Sequence, residues 1–519
     1  MSSTSLIDPT GLLPYQVPAV EKLVKAISTY GAALDGSDMG VGKTADACGV
    51  IRHFDLPTLV VCPEVTIPGW RRMGDLLGTT FDIQNYEMLR TGRTPYGWWE
   101  NPPPPRLPTK FRCTQCRIDV VPDAPTPCHL HHLGIHCVET LTIPHDYGKF
   151  TWAPEIQLLV FDEAHRCSAL DSLHADMLIA AGRQKIRTLL MSATVAESPM
   201  QLRAIGFLLR LHNLIDSRIP GSPVGFYKWA MGLGCRKLPF QGFHFAVGAE
   251  RRKAILSKLH SDIFTNRGCR VRIQDLGDAF PDCQVTAELY NAKEAGRVEE
   301  LFRTMEEAIR TLNDIRDGDP EHPLTVLLRA NQEVELLKVP IFVELTQDAL
   351  AEGKHVALFV NYRQTVEELC KRLKTDCRID GSQIGVKGSK RRNQCVDDFL
   401  HDREPVIVAS AAAGGIGIGL HDILGQFGRL GLISPGFSAK QFRQILGRLR
   451  RQGGKSAALY RAIFMANTPD EKRHKALAAK LDCIDTLNDD DLMVENLILT
   501  RFRDRVIDLE TDMPTILKP

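Results

Sequence analysis

The sequence predicts an α/β protein with two parallel-sheet domains in tandem, a small cysteine-rich insert in the first domain and a helical C-terminal extension. Short apolar runs, each long enough for one buried strand, alternate with amphipathic stretches of helical periodicity. This alternation occurs in both halves of the chain, on either side of a long polar-apolar stretch at residues 292–337. With 519 residues, the chain is long enough for two or three domains that each bury a core.

The composition is that of an ordinary globular protein. Apolar residues make up 44% of the chain and charged residues 24%. The net charge is +1, so any surface that binds nucleic acid has to be a local cleft. No apolar run approaches membrane-spanning length, residues 1–16 lack a signal-peptide pattern, and we expect no membrane partner. Most of the 14 cysteines stand singly in apolar patterns, which predicts reduced thiols and a cytoplasmic location.

The first domain is organised around a glycine-rich loop, which follows the apolar run 32–34 and precedes a helical stretch that ends at Phe54. Its glycines allow successive N–H groups to turn toward a polyphosphate, and the positive end of the next helix adds attraction. Lys43 can then reach the β- and γ-phosphates, and the Thr44 hydroxyl can hold Mg²⁺. The predicted nucleotide-binding residues of the loop are Ser37, Met39, Gly40, Val41, Gly42, Lys43 and Thr44. A glycine-rich turn without a nucleotide is the plainer alternative.

Further candidate contacts lie on both sides of this loop. Upstream, Gln16 carries an amide that both donates and accepts hydrogen bonds, as the reading of adenine requires. A helix is predicted from Val20 to Tyr30. Downstream, the run Thr58–Cys62 predicts a buried parallel strand, and the segments 67–72 and 81–87 should reach the ligand-binding edge of the sheet. For these two segments, contacts to a nucleic-acid backbone and contacts within the core are equally open.

A cysteine-rich stretch interrupts the pattern between residues 91 and 147. Two tryptophans and four consecutive prolines end regular structure there. A Cys-x₂-Cys pair and a second cysteine and histidine group follow, which is typical of a structural zinc site in a segment too small to fold unaided. The predicted ligands are Cys113, Cys116, Cys128 and Cys137. A pair of Cys128 with His131 is the rival to Cys128 with Cys137, and reduced cysteines in a loop are the alternative to zinc.

The run from Ile156 to Phe161 predicts a strand that delivers two adjacent carboxylates, Asp162 and Glu163. In a nucleotide hydrolase, Asp162 would hold the Mg²⁺ bound by Thr44, and Glu163 would polarise the attacking water. A solvated acidic pair is the plainer alternative. A further strand at 187–191 ends in Ser-Ala-Thr at 192–194, whose hydroxyls are placed to link the carboxylates to a moving partner domain.

The second half of the chain repeats the alternation. The stretch 292–337 predicts helices, 294–312 among them. A buried strand follows at 356–360, an amphipathic helix at 364–373, a basic helix start at 387–392 and a strand at 406–409. After a glycine-rich run at 410–420, the segment 441–451 places two arginines three residues apart, on one helical face. In the tail, helices are predicted at 471–481 and 492–506.

The order of these motifs resembles that of superfamily 2 helicases and translocases. The loop at 37–44, Asp-Glu-Ala-His at 162–165 and Ser-Ala-Thr at 192–194 are similar to the first RecA-like motor domain of that family. The glycine-rich run resembles motif V, which implies a place for Gly417 at the nucleotide cleft, and 441–451 resembles motif VI. The resemblance implies that Arg448 and Arg451 face Lys43 and act as arginine fingers. The implied catalytic residues are Lys43, Asp162, Glu163, Arg448 and Arg451.

The wording Asp-Met-Gly-Val-Gly-Lys-Thr, with Tyr15-Gln16 upstream, is most similar to the Swi/Snf branch, in a compact form that resembles bacterial or phage members. The chain departs from the pattern at two positions. Ser37 replaces the usual first glycine, as in many helicases, and Gly454 stands where Swi/Snf members usually carry glutamine. The resemblance covers most of residues 12–465, and leaves out the cysteine-rich insert and the tail.

The predicted plan is a RecA-like domain at 1–281 with a zinc-binding insert at about 108–140, a second at 282–465 with a helical insertion at about 290–340, and a helical extension at 466–519.

We expect a monomeric motor, dependent on ATP and Mg²⁺, in the cytoplasm of a bacterium or a phage-infected cell. It is expected to track duplex or branched DNA, in preference to RNA, and to remodel it or displace bound protein. A strand-separating DNA or RNA helicase is one alternative. The other is an adaptor clamped by ATP, in which zinc supplies specificity; Glu163 argues against it, because a clamp without turnover has no need to activate water.

Overall fold

Two separate parallel sheets form the framework of the protein in a computed structural model. The structure describes residues 10–102, 109–113, 119–120, 138–142, 146–193, 195–196, 198–215, 224–238, 242–290, 296, 300–301, 303–304, 323–383, 385–411, 418–436, 438–465, 470 and 502–507. The first sheet uses strands between residues 32 and 269, and the second uses strands between residues 283 and 507. The predicted pair of tandem parallel-sheet domains is therefore confirmed.

The chain up to residue 269 contains thirteen strands among its described residues. They are β1 (Ala32–Asp35), β2 (Thr58–Cys62), β3 (Asp82–Asn85), β4 (Gly97–Trp99), β5 (Thr109–Cys113), β6 (Asp119–Val120), β7 (Val138–Thr142), β8 (Phe150–Trp152), β9 (Leu158–Asp162), β10 (Arg187–Met191), β11 (Cys235–Leu238), β12 (Gly242–Phe245) and β13 (Gly268–Cys269). Six of them pair in parallel in the order β13-β1-β10-β9-β2-β3. The central strands β1, β2 and β10 coincide with apolar runs, because a parallel strand covered on both faces needs continuous apolar sequence.

Helices cover both faces of this sheet. They are α1 (Gln16–Tyr30), α2 (Lys43–Phe54), α3 (Ile67–Leu77), α4 (Tyr86–Arg90), α5 (Leu173–Arg183), α6 (Arg203–Leu208), α7 (Phe226–Gly232) and α8 (Ala249–Phe264), with 3₁₀ turns at Glu64–Thr66, Ala164–Cys167, Pro199–Leu202 and Ile273–Ala279. α1 buries Val20, Leu23, Val24 and Ile27, which share one helical face, and ends at Gly31 in a left-handed conformation with φ 85°. One core lies under α1 and α2, and a second lies under α5, α6 and α8 on the opposite face.

The cysteine-rich segment is separate from the parallel sheet. β4 and β8 pair in an antiparallel manner at its base, where Trp99 packs on Phe150 at a ring distance of 4.9 Å. β5, β6 and β7 form their own antiparallel sheet. The predicted zinc site lies outside the described residues: Cys113 ends β5 but only its backbone is described, and Cys116, Cys128, His131 and Cys137 fall in undescribed stretches. Within the described residues, no group of three or more potential ligands is placed to hold a metal ion.

The second sheet has seven parallel strands among the described residues. They are β14 (Cys283–Tyr290), β15 (Lys354–Val360), β16 (Arg378–Ile379), β17 (Val406–Ser410), β18 (Gly428–Ile433), β19 (Ala458–Met465) and β20 (Phe502–Ile507), in the order β16-β17-β15-β18-β19-β14-β20. The helices are α9 (Pro323–Leu337), α10 (Val339–Ala351), α11 (Arg363–Leu373), α12 (Gly385–Leu400) and α13 (Ala439–Leu446). Two cores lie on opposite faces of this sheet. In the described part of the chain, no helix is long and apolar enough to cross a membrane.

The tail differs from the predicted helical extension. The expected helix at 492–506 is wrong at its end, because residues 502–507 form β20 and pair in parallel with β14. Without β20, β14 would be the edge of the sheet and would leave its backbone N–H and C=O groups on one side unpaired. This long-range pairing outweighs a local helical preference. The expected helix at 471–481 lies outside the described residues.

Candidate active site

Three strands of the first sheet, β1, β10 and β9, end at the same register position on the carboxyl edge of the sheet. Asp35 at the end of β1 is in register with Met191 at the end of β10, and Met191 is in register with Asp162 at the end of β9. The glycine-rich loop, the acidic pair and the Ser192 segment therefore leave the sheet side by side. The carboxyl edge of a parallel sheet is where α/β proteins bind ligands.

The glycine-rich loop presents its backbone donors to the open side. Gly40 and Gly42 have left-handed φ angles of 85° and 97°, which a residue with a side chain rarely adopts. Within the described part of the chain, the successive N–H groups from Met39 to Thr44 form no hydrogen bond to the protein, and α2 begins at Lys43. Unbonded N–H groups at a helix start are suited to an anion with several oxygens, so this loop fits a polyphosphate.

Lys43 and Ser37 hold the loop in shape. Lys43 Nζ donates to the carbonyl oxygens of Ser37 and Asp38, both at 2.8 Å. Ser37 is fully buried, its N–H donates to Asp35 Oδ1 at 2.9 Å, and its hydroxyl accepts the N–H of Val271 at 3.0 Å. A glycine at position 37 would lack the hydroxyl, so this departure from the family pattern has a structural role.

Gln16 supports the loop from behind. Its side-chain oxygen accepts the N–H of Leu13 at 2.9 Å, and its Nε2 donates to the carbonyl of Gly42 at 3.1 Å. Only 1% of Gln16 is exposed. The neighbouring Tyr15 hydroxyl donates to the Val41 carbonyl at 2.8 Å. The amide that the sequence assigns to adenine is thus engaged with the phosphate loop, and its contact with adenine stays a prediction.

Asp162 is fixed by two aromatic side chains. Trp70 Nε1 donates to Asp162 Oδ2 at 2.9 Å, and the Tyr86 hydroxyl donates to the Asp162 carbonyl at 2.8 Å. Burial, followed by the charge of Glu163, raises the pKa of Asp162 to about 6. Trp70 and Tyr86 come from segments 67–72 and 81–87, for which the sequence predicts either core contacts or contacts with a nucleic-acid backbone. These two residues are in the core, at 1% and 0% exposure.

Glu163 has an unusual backbone and a strongly stabilised charge. Its φ is 54°, a left-handed value that is costly for a residue with a side chain, and it opens the 3₁₀ turn at Ala164–Cys167. Burial alone would favour the protonated carboxyl, but the hydrogen bond and charge of His165, then the charge of Lys43, outweigh it and lower the pKa of Glu163 to about 2. A charged carboxylate beside the phosphate loop is suited to orient or deprotonate water.

His165 joins three segments of the site. Its Nδ1 lies 3.3 Å from Glu163 Oε2 and 3.2 Å from the Ser192 hydroxyl. Its Nε2 lies 3.2 Å from Gln444 Nε2 of the second domain. The predicted link from the hydroxyl pair to the partner domain is therefore present for Ser192, through His165, whereas Thr194 lies outside the described residues.

Arg448 and Arg451 converge on the cleft, though not from a helix. α13 ends at Leu446, and both arginines follow in the turn after Gly447, so the expectation of one helical face is wrong. A side chain at Gly447 would meet Met39 Cβ at 2.6 Å, so glycine is needed where this turn approaches the phosphate loop. Both guanidinium groups donate to the carbonyl of Ile418, at 3.0 Å from Arg448 and 2.8 Å from Arg451.

The electrostatics of the two arginines reflect their burial. Burial lowers the pKa of Arg448, against the opposing effect of Glu163, and burial with the charge of Arg448 lowers the pKa of Arg451 to about 9. Because Arg448 and Glu163 influence each other, the second domain brings positive charge to the carboxylates of the first.

Asp38 is a further residue of the domain contact that sequence reasoning did not single out. Arg270 donates to its Oδ1 at 2.7 Å, the N–H of Ile273 donates to its Oδ2 at 2.9 Å, and Arg443 lies 3.9 Å from Oδ1. Burial opposes its charge, but Arg270 and Arg443 outweigh it and lower the pKa of Asp38 to about 2. The partners lie far away in sequence, so no local pattern could have indicated them.

The remaining predicted site residues have different outcomes. Thr44 is the second residue of α2 and is half-buried beside Lys43. Met39 lies against Gly447, and Val41 is buried with Ile273 and Phe280. Gly417, assigned to the nucleotide cleft, lies outside the described residues.

Comparisons with known proteins show which proteins the chain resembles. No family model matches the chain. It is 30% identical over 505 residues to a candidate ATP-dependent RNA helicase of Acanthamoeba polyphaga mimivirus, and the match covers 95% of this chain and 86% of that protein. Similar solved structures include S. cerevisiae Dbp5 bound to RNA and ADP BeF3, with a TM-score of 0.45, 12% identity and coverage of 98% of this chain and 96% of that one. A single-substitution variant of Dbp5 with the same ligands has a TM-score of 0.44 at 12% identity, covering 95% and 99%. The mimivirus relative, at 30% identity over most of both chains, shows that the chain belongs to helicase superfamily 2, a family of ATP-dependent enzymes built on two tandem RecA-like domains.

Proposed function

We propose that this protein is a motor that hydrolyses ATP between its two RecA-like domains and moves along RNA. The observation that carries the proposal is the convergence of Lys43, Glu163 and Arg448 in one cleft, where both cations act on the carboxylate of Glu163. Because Arg448 comes from the second domain, an approach of the two domains changes the charge around the phosphate site. That coupling is what a motor needs in order to convert hydrolysis into relative domain movement.

Each predicted site residue has a role in this proposal. The N–H groups from Met39 to Thr44 and the ammonium of Lys43 bind phosphate oxygens. When the nucleotide binds, Lys43 exchanges its hydrogen bonds to the Ser37 and Asp38 carbonyls for bonds to the phosphates. Thr44 and Asp162 are the residues to hold Mg²⁺, which when bound offsets charge on the phosphates. Trp70 and Tyr86 orient Asp162 for this purpose.

The other residues of the cleft act on water and on the developing charge. Glu163 orients the attacking water and takes its proton. Arg448 and Arg451 stabilise the charge that grows on the transferred phosphoryl group. Gln16 keeps Gly42 in place and is the residue proposed to read adenine. Gly417 is proposed to lie at the nucleotide cleft because of its resemblance to motif V alone.

The choice of RNA rests on the relative from mimivirus, whose name describes an RNA helicase. The DNA preference expected from the sequence has no support from that relative. A second candidate, a DNA translocase of the Swi/Snf type, is favoured by the wording Asp-Met-Gly-Val-Gly-Lys-Thr at 38–44 and by Tyr15-Gln16. In the structure these two segments are in direct contact, through the Tyr15 and Gln16 side chains.

The domain boundaries are proposed in the same way. A boundary at 281/282 falls between β13, which ends the first sheet at Cys269, and β14, which starts in the second sheet at Cys283. The cysteine-rich insert is proposed to bind one structural zinc ion through Cys113, Cys116 and two ligands from 128–137. It is independent of the motor sheets, since its described strands pair only with one another.

One titration tests the motor proposal and its substrate. ATP hydrolysis by the full chain is measured against RNA, single-stranded DNA, duplex DNA and branched DNA. The proposal expects RNA to give the largest stimulation. A larger effect of duplex or branched DNA would favour the second candidate, and the absence of stimulation by all four would overturn the motor itself. A strand-displacement assay then separates unwinding from movement without strand separation.

A further inference from the structure

The segment 226–253 of the first domain is far more basic than the chain as a whole. It contains six lysines and arginines and a single acidic residue, Glu250, whereas the full chain has a net charge of only +1. None of the helicase motifs lies in this segment. A local positive surplus of this kind attracts a polyanion.

The segment folds into α7 followed by the antiparallel hairpin β11–β12 and the start of α8. Phe226, Ala230 and Cys235 are buried and pack with Met200, which lies in the 3₁₀ turn at Pro199–Leu202. That turn follows the Ser192 segment, which leaves the carboxyl edge of the first sheet. The hairpin and α7 are therefore fastened beside the edge that carries the catalytic residues.

At the surface of this unit lies an aromatic pair, of which Tyr227 is exposed and Phe243 is partly buried. The ring of Tyr227 stacks on that of Phe243, with 5.1 Å between centroids and 28° between planes. Tyr227 is 45% exposed although its neighbour Phe226 is buried, and Met231, one turn later on α7, is 52% exposed. A pre-stacked, exposed ring offers a platform for a nucleobase, because every base has a π face.

Cations flank the aromatic pair. Lys237 is the cross-strand neighbour of Phe243, on the same face of the hairpin, and Lys228 follows Tyr227 on α7. Arg236 pairs with His244 and lies on the opposite face of the hairpin. All three cations are exposed. Among the residues that the structure describes, none of the three has a side-chain hydrogen bond or an ion pair. Their charge is thus available to a ligand, unlike that of Arg203 or Arg270, which have carboxylate partners.

We propose that Tyr227, Phe243, Lys228 and Lys237 form a basic-aromatic surface that binds a single-stranded segment of the nucleic acid, outside the helicase motifs. A base stacks on Tyr227, and Lys228 and Lys237 contact the neighbouring phosphates. The inference rests on the proposed function, since it assumes that the protein engages nucleic acid. The combination of a stacking ring and exposed cations favours a nucleic-acid strand over an acidic protein partner, which has no bases to stack.

This surface is separate from the nucleotide cleft. Among the residues that the structure describes, Lys43 donates to Ser37 and Asp38, Glu163 pairs with His165, and Arg448 donates to Ile418. Substitutions in it should therefore change the affinity for nucleic acid and leave the basal ATPase rate unchanged.

The test measures binding of a fluorescently labelled single-stranded RNA or DNA oligonucleotide, by anisotropy, across a salt series. Tyr227→Ala should weaken binding about 5- to 100-fold, and Tyr227→Phe should restore it, because the ring rather than the hydroxyl stacks. Each of Lys228→Ala and Lys237→Ala should lower the slope of log affinity against log salt by about 0.7. The matched control is Lys22→Ala with Lys25→Ala, which removes two exposed cations from α1.

Three outcomes decide the matter. Loss of affinity in the surface variants, with wild-type basal ATPase and unfolding temperature, supports the proposal. Wild-type affinity and salt slope in both lysine variants and in Tyr227→Ala overturn it, as does an effect confined to duplex. If the unmodified protein binds no nucleic acid and shows no stimulation, the proposed function itself fails, and this result is distinguishable because it precedes any substitution.

Discussion

The two faces of the nucleotide cleft are built in different ways. On the first-domain face, the polar groups stand at strand ends that share one register and at the start of α2. On the second-domain face, Arg448 and Arg451 follow the end of α13. Both guanidinium groups are held in position by hydrogen bonds to one carbonyl, that of Ile418. The first face is thus organised by regular secondary structure within a single domain, whereas the second also depends on how the two domains meet.

This difference separates binding from turnover. Among the described residues, the N–H groups of the phosphate loop that lack a protein partner all belong to the first domain, as does Lys43. The first domain should therefore bind the nucleotide without help. Arg448 reaches Glu163 only when the second domain is in place. Hydrolysis should therefore require both faces, and substitutions can be chosen that affect one face or the link between them.

The largest effect should come from Glu163→Gln on the first face. The amide keeps the shape of the side chain but cannot take a proton from water, so turnover should fall about 10³-fold while ATP binding is retained. Single-turnover hydrolysis and binding of a fluorescent ATP analogue measure the two quantities. Glu87→Gln is the matched control, because Glu87 is exposed and pairs with Arg166 outside the cleft. Turnover at the wild-type rate in Glu163→Gln would exclude the carboxylate from the chemistry.

The second face should give a smaller loss that spares affinity. Arg448→Ala or Arg451→Ala removes a charge that matters most in the transition state, so turnover should fall about 10²-fold with little change in ATP affinity. Arg450→Ala is the control between them, since Arg450 Nε donates instead to the carbonyl of Pro281. If binding and turnover fell in proportion, the two arginines would be ground-state ligands or structural residues, and the contrast between the faces would not hold.

The contrast also explains what the sequence could predict. The first face follows local rules: an apolar run ends in glycines and a helix, or in two carboxylates, and β1, β2, β9 and β10 lie where those rules place them. The turn at Arg448 and the strand at 502–507 depend on contacts with distant segments, and helical periodicity misread both. The bond from Trp70 to Asp162 and the cluster around Asp38 join residues far apart in sequence, so a periodic pattern carries no trace of them.

Removing the contact between Gln444 and His165, which links the two faces, should lower turnover moderately. Gln444→Ala removes the contact with His165, and the loss of one buried hydrogen bond of about 1 kcal/mol should lower stimulated turnover about 5-fold. Basal turnover should change less, because the contact forms only between the domains. Gln441→Ala, three residues earlier on α13, is the control, since its side chain has no comparable partner across the cleft among the described residues. An equal loss of basal and stimulated rates would mean that Gln444 acts within its own domain.

The smallest effect on hydrolysis should come from the cysteine-rich insert. The sequence predicts one Zn²⁺ per chain, held by Cys113, Cys116 and two ligands between Cys128 and Cys137. Four protein ligands leave no open position for water, so the metal should stabilise the insert and take no part in the chemistry. Elemental analysis of the purified protein measures the zinc content directly, and zinc-free protein would contradict the prediction.

Cys113→Ser then tests whether the insert is independent of both faces of the cleft. It should release the zinc, whereas Cys370→Ser in α11 of the second domain should retain it. Basal ATPase should stay within about 2-fold of wild type, because the base of the insert is anchored by Trp99, Phe150 and Trp152 in the core and the parallel sheet does not include its strands. Stimulation by nucleic acid should weaken only if Lys110, Arg112 or Arg117 contacts phosphate, in which case each lost contact lowers the salt slope by about one. A fall in basal turnover as large as that of Arg448→Ala would contradict this independence. It would mean that the insert contributes to hydrolysis itself, because a structurally separate insert should not affect the nucleotide site.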